Sequence, residues 1–488
     1  MKNNDKNCRK KGRSALPKYT TQNKESYNRV TIVVILLAGA FLAVLNQTLL
    51  LTATPHIMEE FQLTENSAQW VTTIFMLVNG IMIPTTAFLM ETFSTRRLFL
   101  TSMCVFIVGS IVCALSFNFP MLMIGRIIQA AGAGIIMPLM MTIFMLIFAV
   151  ERRGFALGIA GLVISFAPAL GPALAGWIIE FLPWRSLFYM IIPIAIIDII
   201  LAYFFMKNII KRTYPKVDYL SIVLSTLGFG GLLYGFSSVG NYGWGHLGVL
   251  ISLIVGAICL TAFIWRQLKL KQPLLEFRVF TSRTFTFTTI IGMTTFMMLI
   301  AAETILPIYM QIMAGFSALE SGMMMLPGAL LMGILSPFVG RIFDKIGARW
   351  LLIIGLFIMT VTTIFYTNLT ENTSFMYLTV VFAIRMIGIA MVSMPATTAG
   401  LNVLPTSLIP HGTAMTNTMR QVAASIGTAI LVTVMTIAAK DPDIHGLEGL
   451  VHGVNVAFYV ATAITFIALV LSFFVKDKKA VQVEKTTA

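Results

Sequence analysis

The sequence predicts an all-α integral membrane protein with fourteen transmembrane helices, arranged as two six-helix bundles plus two inserted helices. Scarce charge, recurring apolar runs and a one-sided distribution of basic residues lead to this prediction. Of the 488 residues, 57% are hydrophobic and 11% are charged, whereas soluble domains carry roughly 25% charged residues. A soluble fold of this length would lack the polar residues to cover its surface, so most of that surface must face hydrocarbon.

Apolar runs of about 20 residues, the length that a helix needs to cross a bilayer, recur along the whole chain. They lie at about 30–51, 69–90, 98–116, 121–148, 155–179, 186–206, 218–238, 246–266, 284–309, 317–340, 350–367, 375–400, 415–438 and 453–475. The first 29 residues are polar and basic and contain no signal-peptide pattern. The first apolar run is therefore expected to act as an uncleaved insertion signal.

The basic residues predict that both termini are cytoplasmic. All but four of the 34 Lys and Arg residues then fall in the tails, on cytoplasmic loops or at cytoplasmic helix ends; the exceptions are Arg126, Arg185, Arg385 and Lys440. This asymmetry follows the positive-inside rule, and one span more or fewer would destroy it. The net charge of +14 is therefore a topology signal, and no nucleic acid is expected as a partner. The expected partner is the lipid bilayer of the cell membrane.

Two internal repeats relate the first six spans to the last six. The segments 87–97 and 340–349 each place an acid at the fifth position with basic residues after it: Glu91 with Arg96 and Arg97, and Asp344 with Lys345 and Arg349. Arg126-Ile-Ile-Gln129 in the fourth span is echoed by Arg385-Met-Ile-Gly388 in the twelfth. Related halves around a midplane cavity are a transporter architecture.

The repeats divide the chain into five segments. We expect a basic cytoplasmic tail at 1–29, an N-terminal six-helix bundle at 30–206, two inserted helices at 207–283, a C-terminal six-helix bundle at 284–475 and a cytoplasmic tail at 476–488. No Walker A loop, HExxH motif or Cys/His cluster with metal-ligand spacing occurs. The sequence therefore predicts neither an enzyme nor a cofactor or metal site.

These segments resemble the major facilitator superfamily and, within it, the fourteen-span drug:proton antiporters of the EmrB/QacA group, over about residues 30–475. The segment 340–349 fits the family's Gly-x-x-x-Asp-Arg/Lys-x-Gly-x-Arg pattern, and Gly171, Pro172 and Gly176 resemble its antiporter motif in span five. The resemblance implies a proton-coupled exporter of amphiphilic drugs that works by alternating access. A monomer is expected, although the sequence does not determine the oligomeric state. The resemblance also implies that the small residues of span five, from Gly158 to Gly176, form an antiporter-type seam between the halves; the alternative is ordinary close packing of helices.

Ionisable residues within spans are expensive in a bilayer, which makes Arg126, Asp198, Glu303 and Arg385 candidates for proton coupling or substrate binding. A proton-driven exporter needs a group that alternates between protonated and charged forms, and carboxylates suit this role. Span nine is expected to line the cavity and span six to be peripheral, which ranks Glu303 above Asp198. The alternative for each of the four is a structural partner within the bundle.

Span one departs from the family pattern. The family often has an acid there, in a pattern like Leu-Asp-x-Thr, whereas this chain has Leu45-Asn46-Gln47-Thr48. Because Asn46 does not titrate, either another site carries the proton or Asn46 and Gln47 only hydrogen-bond a substrate. This departure is similar to the branch associated with lincomycin resistance.

The repeated loop motif predicts a conformational latch, in which Asp344 and Glu91 cap helix starts and pair with nearby guanidinium groups. The alternative is that its basic residues only anchor the topology. A facilitator for one metabolite, peptide or lipid precursor is a second possible function. A receptor or scaffold that transports nothing is a third, although a static scaffold needs no switching latch.

Overall fold

A computed structural model describes residues 28–475, except 211, 215, 216 and 441. The described chain is helical and has no strand. Fourteen of its helices are long and apolar enough to cross a membrane, which confirms the predicted fold class and number of spans. The predicted tails lie outside the described residues, apart from residues 28 and 29.

The helices follow one another with short connections. They are α1 (Arg29–Phe61), α2 (Glu65–Thr92), α3 (Thr95–Ala114), α4 (Phe119–Ile147), α5 (Arg153–Phe181), α6 (Ser186–Phe205), α7 (Tyr219–Tyr242), α8 (Leu247–Lys269), α9 (Arg283–Ile308), α10 (Ala318–Ile346), α11 (Arg349–Phe365), α12 (Phe375–Asn402), α13 (Ile409–Ala438) and α14 (Pro442–Ser472). A π-helical turn at Tyr309–Met313 extends α9, and a 3-10 turn at Phe277–Thr281 precedes it. Helices are required here because hydrocarbon cannot satisfy backbone polar groups.

Polar caps begin several of these helices. The side chains of Thr64, Ser94 and Asn118 each accept a hydrogen bond from a backbone N–H in the first turn of α2, α3 and α4. At the start of α10, Ser317 and Glu320 form a reciprocal capping box. These caps satisfy N–H groups that would otherwise lack partners where the helices leave the membrane.

The packing repeats along the chain. The first helix, α1, packs against α2, α4, α5 and α6, and α9 packs in the same way against α10, α12, α13 and α14. We call α1–α6 the N-terminal set and α9–α14 the C-terminal set. The inserted α7 and α8 pack on each other, and α7 also contacts α2 of the N-terminal set and α13 of the C-terminal set. Stacking of Trp70 on Tyr234 and a 2.7 Å hydrogen bond from Trp244 to Thr433 make these contacts specific. The residue limits of the halves stay a prediction.

The chain enters and leaves the bundle at the same face, because an even number of spans separates Arg29 from Ser472. We call this the terminal face and the other the distal face. On the distal face, Arg185 lies 2.7 Å from Glu60 and also bonds the carbonyl of Ser116. The hydrogen bond from Arg185 holds the pKa of Glu60 below its usual range. This pairing accounts for one of the four basic residues that departed from the charge asymmetry.

One helix begins earlier than its apolar pattern predicted. The run at 415–438 predicted a late start, whereas α13 begins at Ile409 with Pro410 in its first turn, a position where proline is favoured. Arg420 was therefore assigned wrongly to a helix end. It lies in the fourth turn of α13 and is only 8% exposed.

Candidate functional site

The first part of the candidate site is a buried polar network around Arg126 of α4. Its guanidinium donates to Asn46 Oδ1 at 2.6 Å and to Gln129 Oε1 at 2.8 Å. Its Nε donates to the carbonyl of Val71 at 3.1 Å, and the group lies over the ring of Phe75, 4.2 Å from the centroid. Arg126 is completely buried, and its Nη2 has no hydrogen-bond partner. The guanidinium is thus held by neutral acceptors and by an aromatic face.

This network ties α4 to three neighbouring helices. Gln129, one turn after Arg126, donates to Ser110 of α3 at 2.7 Å, while Asn46 comes from α1. Asn46 is buried and Gln47 beside it is half-buried. A polar group in such a position must be hydrogen-bonded, because leaving it without a partner is costly. The side-chain oxygen of Asn46 therefore has a structural role, as the hydrogen-bond acceptor of Arg126.

The C-terminal set contains a matching buried arginine. Arg385 of α12 is 1% exposed and donates to the carbonyl of Met298 on α9 at 2.7 Å and to Thr363 on α11 at 3.2 Å. Its Nε has no hydrogen-bond partner. The repeat that relates Arg126 to Arg385 in sequence thus reappears as two buried guanidinium groups, one on α4 and one on α12.

Glu303 of α9 lies within electrostatic range of Arg385. Its side chain is exposed, although Ala301, Ala302 and Ile305 around it on the helix are buried. Glu303 follows Gly292 by eleven residues, which places both on nearly the same side of α9. A Cβ on Gly292 would lie 3.5 Å from the Arg420 guanidinium, so this side of α9 faces the bundle interior. The exposure of Glu303 therefore indicates an opening inside the bundle.

Asp198 of α6 has a different environment. It is 3% exposed, and neither carboxyl oxygen has a hydrogen-bond partner. A Cβ on Gly39 of α1 would lie 3.2 Å from Asp198 Oδ2 and 2.9 Å from Phe99 of α3. Asp198 thus faces the packed space between α1, α3 and α6. The structure does not bring it together with Glu303.

Arg420 is a buried cation that the apolar pattern missed. It donates to the carbonyl of Ser393 at 2.8 Å and to Thr397 Oγ1 at 2.6 Å, both on α12, and its Nε has no partner. The correct start of α13 would have revealed it, because it places Arg420 well inside the span. Among the described residues, no Asp or Glu lies within salt-bridge distance of Arg126, Arg385 or Arg420.

Asp344 joins the two sets at the terminal face. Its carboxylate accepts hydrogen bonds from the backbone N–H groups of Gly154, at 2.8 Å, and Phe155, at 2.9 Å, in the first turn of α5. These two N–H groups have no acceptor within α5, and the carboxylate of Asp344 from the other half of the chain serves as their acceptor. Its negative charge also interacts favourably with the positive end of the helix dipole. A Cβ on Gly154 would lie 2.5 Å from Asp344 Oδ1, so the contact requires glycine there. Asp344 was expected to cap a helix start and to pair with guanidinium groups; the partners found here are the backbone N–H groups at the start of α5.

Glu91, the counterpart of Asp344, contacts His411 of α13 with 3.2 Å between Oε1 and Nε2. His411 was missed because it lies 320 residues away in the sequence and belongs to no motif. The basic residues of the repeated loops lie at the periphery: Arg96 is over the ring of Tyr203, and Arg97, Lys345 and Arg349 are exposed.

The seam between the sets follows the first half of α5. Gly158 packs against Ser336 and Pro337 of α10, and Gly161 packs against Ser336. The antiporter motif lies further along α5 and has another neighbour: Gly171 packs on Thr48, and the Pro172 carbonyl accepts a 3.5 Å hydrogen bond from Thr52, both on α1. The small residues of span five were expected to form this seam. Gly158 and Gly161 lie at it, whereas Gly171 and Pro172 contact α1, because that stretch of α5 turns toward α1.

The two faces of the bundle differ. At the terminal side the sets are in contact through Asp344, through Glu91 and through a 2.6 Å hydrogen bond between Thr142 and Thr413. At the distal side a cleft of about 820 Å³ opens between them; its lining residues are Thr54, Pro55, Met58, Glu59, Leu63, Gln69 and Gln311. The bundle is thus closed at the terminal face and open at the distal face. Among the described residues, no cluster of His, Cys, Asp and Glu is suited to a metal ion.

This architecture matches a known family. The profile of the Major Facilitator Superfamily matches residues 36–428. The chain belongs to the Major Facilitator Superfamily. This facilitator is 54% identical over 458 residues to the uncharacterized MFS-type transporter YcnB of Bacillus subtilis, covering 94% of this chain and 97% of that one. It is a multi-pass membrane transporter and not an enzyme.

A second relative carries a more specific name. The lincomycin resistance protein LmrB of Listeria monocytogenes is 40% identical to this facilitator over 459 residues, which cover 92% of this chain and 97% of that one. Among solved structures, the human organic anion transporter MFSD10 (TETRAN) is similar with a TM-score of 0.68 and 15% identity, over 92% of this chain and 100% of that one. The similarity to MFSD10 supports the fold alone.

Proposed function

We propose that this facilitator exports amphiphilic drugs across the cell membrane in exchange for protons, by alternating access, with both termini in the cytoplasm. The main support is Glu303, an exposed carboxylate inside the bundle within electrostatic range of buried Arg385. A carboxylate that is exposed inside the bundle can bind either a proton or a basic drug. Competition between the two at one site would couple export of the drug to entry of the proton.

The second support is the asymmetry between the faces. Contacts close the terminal side while a cleft opens on the distal side. If the terminal face is cytoplasmic, this arrangement is the state that releases drug and takes up protons from outside. The name of the Listeria relative adds lincosamides to the candidate substrates, while the 54% identical relative is uncharacterized.

Efflux measured in cells that carry or lack the gene tests the proposal. Cells are loaded with lincomycin or an amphiphilic dye, and a protonophore removes the proton gradient while ATP is held constant. We expect efflux that depends on the gene and collapses with the gradient. Gene-dependent efflux that survives the protonophore rules out proton coupling. Transport of one metabolite without any of the drugs would instead support a specific facilitator.

A further inference from the structure

One contact connects both sets of helices with the inserted segment at the terminal face. His411, in the first turn of α13, places Nε2 3.2 Å from Glu91 Oε1 on α2. Its Nδ1 accepts a 3.3 Å hydrogen bond from the backbone N–H of Glu276, which lies between α8 and α9. His411 and Glu276 are buried and Glu91 is half-buried, so water has little access to this junction.

The bond from Glu276 determines which nitrogen of His411 carries the proton. A backbone N–H can only donate, so Nδ1 must accept and has no proton of its own. Neutral His411 then carries its single proton on Nε2, directed at the Glu91 carboxylate. A second proton must bind Nδ1, and the N–H of Glu276 then loses its acceptor.

Protonation therefore has opposite effects on the two bonds. The contact with Glu91 becomes an ion pair between imidazolium and carboxylate, and the Coulomb attraction is strong where water is largely excluded. The bond that is lost leaves the buried N–H of Glu276 without an acceptor, but this is the penalty of one neutral donor, which is smaller than the attraction between two unit charges at this distance. Protonation thus stabilises the contact between His411 and Glu91 by more than it destabilises the contact between His411 and the backbone of Glu276. Histidine is the side chain that ordinarily changes charge between about pH 5 and pH 8.

Other charged groups near the junction have different partners. The Glu276 carboxylate lies 3.6 Å from Arg278, Asp218 before α7 is bound by Arg266, and Arg153 of α5 donates to Asn402. Arg283, at the start of α9, is exposed. Glu91 is therefore the acid whose interaction with His411 becomes stronger when His411 is protonated.

We propose that His411 is a proton-operated lock on the terminal face: when protonated, it tightens the contact with Glu91 and holds this face closed. The proposal rests on the proposed function and on a cytoplasmic terminal face. Export in exchange for protons brings protons into the cytoplasm, so the lock slows the cycle as the cytoplasm acidifies. His411 acts through Glu91 and is a positioning residue, separate from the coupling carboxylate.

A distance measurement across the terminal face tests the lock. Spin labels are attached at Phe93, just after α2, and at Thr406, just before α13, both exposed, in the full chain with its four native cysteines replaced. The distance distribution in nanodiscs is recorded from pH 8.5 to pH 5.5. We expect the ratio of closed to open terminal faces to rise about tenfold as the pH falls, a usual size for coupling between two sites.

Substitutions test whether the imidazole of His411 causes the pH response. His411→Gln should abolish the pH response, whereas His452→Gln, which changes an exposed histidine of α14, should retain it. Glu91→Gln keeps the shape but cannot form the ion pair, so it should also abolish the response, and it replaces His411→Gln if that variant does not fold. A wild type that ignores pH, or a response that survives either change at the junction, overturns the lock.

The efflux assay keeps the two proposals separate. A pH response of the terminal face without drug export would refute the proposed function and leave the lock standing. Proton-dependent export without that pH response would refute the lock alone.

Discussion

The guanidinium of Arg126 donates a 2.6 Å hydrogen bond to the side-chain oxygen of Asn46, a buried partner that carries no charge. Arg126 remains protonated at any physiological pH, and Asn46 does not titrate. The charge of this pair is therefore constant during a transport cycle. We expect the proton to be carried by a carboxylate elsewhere in the bundle.

Removing the acceptor should destabilise the protein. Asn46→Leu keeps roughly the same volume but deprives a buried guanidinium of one hydrogen bond, which should lower the free energy of unfolding by about 1–3 kcal/mol. Thermal unfolding in detergent measures the change. Asn46→Asp, which retains an acceptor, is the matched control and should be closer to wild type. Equal stability of Asn46→Leu and wild type would show that the bond is dispensable.

The proton-coupling role of Glu303 predicts different effects of two carboxyl substitutions. Glu303→Gln keeps the shape but cannot exchange a proton, so uphill efflux should fall at least about tenfold, while downhill drug exchange persists. Asp198→Asn should have the smaller effect, because Asp198 faces packed helices and has no hydrogen-bond partner to lose. Both rates can be measured in proteoliposomes with an imposed pH gradient. Normal pumping by Glu303→Gln combined with failure of Asp198→Asn would reverse the assignment.

The contact of Asp344 with the start of α5 predicts a transport defect. In Asp344→Asn a single amide oxygen replaces a carboxylate that accepts from Gly154 and Phe155, so the terminal face should close less firmly and efflux should fall about 3–10-fold. Membrane insertion, measured by immunoblot, should be unchanged. Glu320→Gln removes an acid from the distal end of the same helix and is the control. Glu91→Gln should impair efflux less than Asp344→Asn.

The pair formed by Asp218 and Arg266 predicts a pH-dependent contribution to stability. Two hydrogen bonds from Arg266, at 2.8 and 3.0 Å, link α8 to the cap of α7, and they lower the pKa of Asp218 to about 2. A carboxyl with a lowered pKa stabilises the folded state above its unfolded pKa and loses this contribution as the pH falls toward its folded pKa.

Asp218→Asn retains a good helix cap and removes only the charge. The variant should be less stable than wild type by about 1 kcal/mol at neutral pH, after allowance for solvent screening. The difference should disappear between about pH 4 and pH 2. Unfolding of both proteins in detergent across this range measures it. A difference that stays constant down to pH 2 would rule out the charge as its origin.

The proposed orientation predicts which positions are accessible from outside the cell. Glu448 lies on the distal side and Lys345 on the terminal side, and both are exposed. In intact cells, a membrane-impermeant thiol reagent should modify a cysteine introduced at 448 and spare one at 345. Permeabilised cells should label at both positions. Labelling at 345 in intact cells would contradict the cytoplasmic placement of the terminal face.

Particular residues show how far the sequence could predict the site. Arg126 and Arg385 were recognisable because a charge in an apolar run is expensive in a bilayer. Arg420 was missed because polar residues at 411–420 concealed the beginning of α13, and His411 was missed because its partners, Glu91 and Glu276, belong to other helices and loops. Within α5, Gly158 and Gly161 contact α10 whereas Gly171 contacts α1, and the sequence could not separate the two because it does not reveal how each side of α5 is oriented.

The sequence by itself determined that this chain is a fourteen-span membrane bundle with repeated halves, because the bilayer imposes helix length, hydrophobicity and charge asymmetry on each span separately. Only the tertiary structure decided that Asp344 caps α5, that Glu91 contacts His411 and that Asn46 accepts a hydrogen bond from Arg126. These contacts join residues on different helices. They depend on the rotation and depth of each helix in the bundle, which packing against neighbouring helices fixes and local sequence patterns do not.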